Sequence, residues 1–289
     1  MRLLLPLSLV LAFAAPAWAG QPAKPVPTVS HATVEVVPAV HPALAAAVAD
    51  PRRDADRVRD PWRKPTETLG FFRIAPDMKV GEYAPGGGWY SRLLGLYLGP
   101  QGKFTGLFAS SAPQAGEAAR QRVRDAAARF PQSVAEWSGQ PADRFAGHVL
   151  DAVPDSERGT FDRIIVMRMM HNMFRKGAAF HELAAIRALL KDDGLLGIEQ
   201  HRARPDAPFA YAGGGKGYMR ESDVIALIEA HGFKFVGKSE ANANPRDPAD
   251  WPDGVWTLPP TLSKGDQDRE KYTAVGESDR MTLLFAKRP

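Results

Sequence analysis

An α/β fold, a seven-stranded and mostly parallel sheet doubly wound by helices on both faces, is predicted by three features of this 289-residue chain. A β-prone run, Val80 to Tyr83, empties into Pro85-Gly86-Gly87-Gly88, and a helical pattern of Tyr90, Leu93, Leu94 and Leu96 to Leu98 follows at once. Strand, glycine turn and helix in that order open a ligand crevice at the carboxyl edge of a doubly wound sheet. Strands then alternate with helical segments as far as Gly237, which favours parallel pairing through right-handed crossovers. The last two strands, Phe233 to Gly237 and Met281 to Ala286, have no helix predicted between them and form an antiparallel hairpin at one edge. The architecture is Rossmann-like.

Composition bounds the function. With 44% hydrophobic and 24% charged residues, the chain suits one globular domain with appendages. Met1-Arg2, the apolar run Leu3 to Ala15 and the small-x-small site Ala17-Trp18-Ala19 read as a secretory signal peptide, residues 1–19, cleaved after Ala19. The apolar run is too short for a stable membrane span, and no later stretch reaches that length. The mature chain is therefore expected in the periplasm or secreted, without a membrane span. Zero cysteines exclude disulfides, thiol catalysis and cysteine-ligated zinc. A formal charge of +4, with no long basic block, gives no footprint for a nucleic-acid partner.

Residues 20–50 form a Pro-, Ala- and Val-rich linker or tether, with a short helix at Ala43 to Ala49 stopped by Asp50-Pro51. The domain proper spans 51–289. Arg52 to Phe72 reads as helical segments broken at Pro61 and Pro65, and offers Trp62, Arg63 and Lys64 to the crevice. Gly99 to Gly102 stops the first long helix, and Lys103 to Phe108 is a strand. Ala112 to Phe130 is helical, Pro131 to Phe145 irregular, and His148 to Ala152 a third strand with Asp151 at its end. Phe161 to Met167 is the most strand-like run in the chain and reads as a central parallel strand buried on both faces. Lys176 to Leu190 is an amphipathic helix, and Asp193-Gly194 turns the chain into Leu195 to His201. Acidic residues around Ser222 start a helix, Val224 to His231, that Gly232 ends. Between the final strands lies a polar insertion, 240–278, carrying Trp251 and Trp256.

The glycine bend is neither a phosphate loop ending in Lys-Ser/Thr nor a G-x-G-x-x-G, because Ser91 stands where the third glycine is required. Glu82-Tyr83-Ala84-Pro85-Gly86-Gly87-Gly88 resembles the first motif of class I S-adenosylmethionine (SAM)-dependent methyltransferases, acid-x-Gly-x-Gly-x-Gly, with Ala84 at the first glycine. From about Asp50 onward the chain also resembles the signal-peptide-bearing methyltransferase-like proteins of bacteria. That resemblance rests on Arg63-Lys64-Pro65, Pro85 to Tyr90, His171-Asn172-Met173 and Gly254 to Pro260. It implies SAM as cofactor. Backbone N–H groups of Gly86, Gly87 and Gly88 then meet the methionine end and Glu82 its ammonium group. Asp151 takes the adenine amino group. The acid that holds the ribose diol in the family is replaced here by Phe108, which is left to stack on adenine while Ser110 or Ser111 supplies hydroxyls.

Arg168 to Phe174 follows the fourth strand and faces the crevice. His171 is the expected general base, since its ordinary pKa lies near neutrality. Arg168, Asn172, Glu199, His201, Tyr211 and Trp256 are the expected substrate contacts, and Tyr211 to Tyr218 reads as an aromatic-flanked lid. Histidines and acids show no tight metal-ligand spacing, so no metal is expected. A Gly-x-Ser-x-Gly elbow is missing as well. The sequence thus points to a SAM-dependent methyltransferase acting on a small-molecule acceptor. The alternative is a non-catalytic exported ligand-binding protein on the same fold, favoured by the export signal and by Phe108.

Overall fold

A computed structural model describes residues 41–110 and 116–289. The signal peptide, most of the linker and Ser111 lie outside the described residues. Helices α1 (Pro42–Ala49), α2 (Asp54–Arg57), α3 (Asp60–Arg63) and α4 (Pro65–Phe71) lead into β1 (Lys79–Tyr83). Helix α5 (Trp89–Tyr97), β2 (Lys103–Phe108), α6 (Glu117–Ser138), β3 (Phe145–Val149) and β4 (Phe161–Met167) follow. After these come α7 (Met170–Arg175), α8 (Ala179–Leu189), β5 (Leu190–His201), α9 (Phe209–Ala212), α10 (Glu221–Ala230), β6 (Phe233–Ser239), α11 (Arg269–Val275) and β7 (Arg280–Lys287).

The sheet runs β3-β2-β1-β4-β5-β7-β6, parallel from β3 to β5 and antiparallel at β5/β7 and β7/β6. The predicted doubly wound sheet with an antiparallel carboxyl-terminal pair is present. Strand β4 shows why it lies at the centre. Ile164 and Val166 pack with Leu183, Ile186 and Ile228 on one face, while Ile165 and Met167 pack with Leu69, Trp89 and Leu93 on the other. Alternate residues of a strand point to opposite faces, so both sets must be apolar.

Several local readings differ from the structure: β3 ends at Val149 rather than reaching Ala152, and β5 starts at Leu190, running through the predicted turn at Asp193-Gly194. Helix α6 runs through Pro131 to Ser138, although proline in a helix interior costs ~3 kcal/mol. Ala127, Phe130, Val134 and Ser138 are buried at helical spacing, and this packing outweighs the missing N–H. Gly147 permits it, because a Cβ there would stand 2.0 Å from the Ala127 carbonyl oxygen. The helix predicted from Lys176 begins only at Ala179, as α8, because the chain turns at Gly177, whose φ is +66°; a short helix not predicted, α7, precedes that turn. The insertion also holds a helix of its own, α11, and packs into a third apolar cluster of Tyr218, Trp251, Val255, Leu258 and Tyr272. Tyr218 is buried there and donates to Asp247 at 2.9 Å, which ties 211–218 to the insertion. No helix among the described residues is long and apolar enough to cross a membrane.

Candidate active site

Tyr83 pairs with Val166 and Met167 with Glu199, so the carboxyl ends of β1, β4 and β5 lie side by side. A cavity of about 320 Å³ opens over them. Of the residues singled out in the sequence, Glu82, Gly86, Gly87, Gly88, Arg168, His171, Asn172, His201 and Trp256 line it. Arg63 lines it too, delivered by α3. Glu199 is fully buried behind the wall. Asp151 lies in a short 3-10 turn just past β3, exposed, on the rim of a neighbouring cavity of about 600 Å³. The two cavities share Met169 and Asn172 as walls. Phe108 lines neither cavity and stands edge-on to Phe130, at 5.7 Å between ring centroids. Tyr211 also lines neither; it stacks on Tyr218 and its hydroxyl donates to the Trp251 carbonyl.

The bend holds three residues in the left-handed region, Ala84 among them. Ala84 holds φ at +47°, in the left-handed region that glycine enters freely and other residues enter at a cost of ~1–2 kcal/mol. Gly86 and Gly88 are also at positive φ, +58° and +75°. Gly87 is not, and a Cβ on it would meet nothing within 4 Å.

Around the bend, charges are buried in surplus of one sign. Glu199 accepts from Arg280 Nη1 at 2.8 Å, Arg168 Nη1 at 3.2 Å and the Tyr90 hydroxyl at 2.9 Å. Burial raises its pKa, but the guanidinium groups of Arg168, Arg280 and Arg63 overcome that and hold the carboxyl at about 2. Glu277 pairs with Arg59 at 2.6 Å, Arg280 at 3.2 Å and Arg63 at 3.3 Å. Burial opposes its ionisation too, and the same cations prevail. Four guanidinium groups therefore face two firmly ionised carboxylates. The surplus shows in geometry: buried Arg63 Nη1 and Arg59 Nη2 have no hydrogen-bond partner among the described residues. Arg63, 3% exposed and seated over the Trp89 ring at 4.7 Å, has its pKa pushed down to about 9 by burial and by Arg168.

Glu82 is the third acid. Its Oε2 accepts from the Ser91 hydroxyl at 2.5 Å, on the first turn of α5. Burial pushes its carboxyl up to about 7, against the lowering influence of Ser91, Arg168, Arg63 and Arg92.

The two histidines of the cavity, His171 and His201, are neutral. His171 is 4% exposed, and burial pushes its pKa down to about 4. Gln200 Nε2 donates to the Gly217 carbonyl at 2.7 Å, which leaves Gln200 Oε1 as the acceptor facing His171 Nδ1 at 3.3 Å. An amide oxygen only accepts, so Nδ1 carries the proton and Nε2 the lone pair. His201 is pushed well below its ordinary value by burial and by His171 and Arg168, and its Nδ1 lies 2.6 Å from Ser278 Oγ.

Arg59, Tyr90, Glu277 and Arg280 were not read from the sequence as site residues. The signal for the last two was present: Glu277-Ser278-Asp279-Arg280 is a charged run leading directly into the strand-like Met281 to Ala286. Among the described residues, no group of three or more His, Cys, Asp or Glu is placed to hold a metal ion.

No family model matches the chain, and no curated protein matches it. Solved structures resemble it in fold. One is the 1,6-didemethyltoxoflavin-N1-methyltransferase of Burkholderia thailandensis, with bound 1,6-didemethyltoxoflavin and S-adenosylhomocysteine. It is 17% identical, aligned over 89% of this chain and 95% of that one, with a TM-score of 0.46. A SAM-dependent methyltransferase from Aquifex aeolicus is 15% identical over 68% of this chain and 92% of its own, with a TM-score of 0.42. The [4+2]-cyclase SpnF is 15% identical over 82% of each chain, with a TM-score of 0.45. At such identities and scores, the similarity carries no statement about activity.

Proposed function

We propose that the chain binds SAM across the carboxyl edge of β1, β2 and β4 and transfers its methyl group to a small-molecule acceptor. The observation that carries this is the match between the first cavity and a zwitterionic amino-acid end. Arg59 and Arg63 hold unpaired buried donors for a carboxylate, Glu82 is an acid for an ammonium group, and Gly87 leaves open space for close backbone approach. The family resemblance of the bend and the strand order agree with that reading. When bound, SAM supplies a methyl carbon already activated by its sulfonium, so the protein needs only to align a nucleophile and accept its proton.

His171 Nε2 is the lone-pair nitrogen facing that task. Held near pKa 4, it stays neutral at working pH and is a weaker base than an exposed imidazole. It therefore suits an acceptor whose own proton is acidic. Trp256, Pro259 and Pro260 give the cavity an apolar wall for the acceptor's body. Protein incubated with methyl-labelled SAM and a small-molecule cell extract should move label into a new product. Label recovered wholly as SAM, with binding intact, contradicts transfer and leaves the non-catalytic binding protein.

Glu82 gives this reading a pH signature. Its folded pKa of about 7 lies above the ordinary 4.5, so the protonated form prevails below 7 and the ammonium-binding carboxylate above it. Affinity for S-adenosylhomocysteine should therefore fall by up to about tenfold per pH unit below pH 7, the slope of one linked proton, and level off above. Glu82→Gln should flatten that profile; a slope unchanged in the variant would remove Glu82 from the site.

A further inference from the structure

Strand β2 ends on Phe108 rather than on an acid, and a buried carboxylate reaches that strand end from another element. We propose that Glu182, on α8, supplies the carboxylate that receives the ribose hydroxyls of the bound nucleoside. This rests on the SAM reading above and deepens it.

Glu182 is 1% exposed, yet it lines the 600 Å³ cavity beside Tyr83, Ala109, Ser110 and Asp151. It therefore stands at the carboxyl ends of β1, β2 and β3, next to the cavity lined by the glycine bend. Its Oε1 accepts the backbone N–H of Ser110 at 2.9 Å, two residues past the position Phe108 occupies. That bond fixes the carboxyl against the end of β2. Its Oε2 is buried with no hydrogen-bond partner among the described residues. An unpaired buried carboxylate oxygen is expensive, and a ligand donor is the economical way to satisfy it. Two neighbouring hydroxyls offer such donors. Phe108 cannot, and its ring is turned toward Phe130 on the α6 face, which clears the space. The Tyr83 hydroxyl, kept protonated by burial and by Glu182, lies beside the same carboxyl and is the donor that a bound diol would displace. Burial raises the Glu182 pKa, while Tyr83 and the Ser110 N–H lower it. A sequence scan at the end of β2 misses this acid because α8 lies 72 residues further along the chain.

The test is a calorimetric comparison of S-adenosylhomocysteine with its 2′,3′-dideoxy analogue, on the wild-type chain and on Glu182→Gln. The glutamine keeps an oxygen for the Ser110 N–H but loses the charge. Removing the diol should weaken binding to wild type by about 10- to 100-fold, the range of charge-assisted hydrogen bonds. Glu182→Gln should weaken S-adenosylhomocysteine to the same extent and leave the dideoxy analogue unaffected. Glu182→Asp, which retracts the carboxylate by one carbon, should fall between and serves if the glutamine variant does not fold. Unchanged affinity for S-adenosylhomocysteine in either variant overturns the assignment and leaves the SAM reading standing. Equal losses for both ligands also overturn it, since they mark a purely structural role. Wild-type protein that binds neither ligand overturns both.

Discussion

Replacing Gly87 with valine should lower affinity for S-adenosylhomocysteine by roughly 100-fold, equivalent to the ~3 kcal/mol of forcing an extra side chain into a filled site. The fold itself should hardly notice. Gly87 is the one glycine of the bend outside the left-handed region, and a Cβ there meets nothing within 4 Å. Surface substitutions of that kind usually stay within about 0.5 kcal/mol. Gly88→Val is the contrasting control: its φ is +75° and its Cβ would lie 2.8 Å from the Trp137 ring, so it should destabilise the domain. A melting temperature that collapses in Gly87→Val, or an affinity that survives, contradicts the place given to the bend.

Glu199→Ala should cost about 3–5 kcal/mol of folding stability, because it leaves buried cations without their counter-charge. Arg280 is 1% exposed and keeps only Glu277 as an ionic partner, while the Arg168 side chain loses the carboxylate it donates to. Tyr90 loses its acceptor as well. The pH dependence has a definite sign. The folded pKa of Glu199, about 2, lies below its ordinary 4.5, so its stabilisation is complete above pH 4.5 and is lost as pH falls toward 2. Denaturant unfolding at pH 7 should show the full deficit in Glu199→Ala, and the gap to wild type should narrow in acid. A deficit under ~1 kcal/mol at pH 7 means the network is more hydrated than its burial indicates.

Periodicity and turn chemistry made the sheet legible. The apolar run of β4 and the glycine bend after β1 each mark one location unambiguously, and the doubly wound order follows from alternation. Helix α6 was cut short because Pro131 is a strong local stop, while the burial of Val134 and Ser138 that overrides it is non-local. The site was partly legible for the same reason. Glu82, Arg168 and His171 sit at strand ends, where topology alone sends them to the crevice. Arg59, Glu277 and Glu182 reach it from the leading helices, the insertion and α8, and no local pattern joins them to β1.

Calorimetric titration with S-adenosylhomocysteine, with NAD as comparator, tests the central claim most directly. Saturable one-to-one binding of S-adenosylhomocysteine, roughly 100-fold weaker in Gly87→Val and absent with NAD, is the expected result. No heat with S-adenosylhomocysteine, or equal binding of NAD, would contradict it.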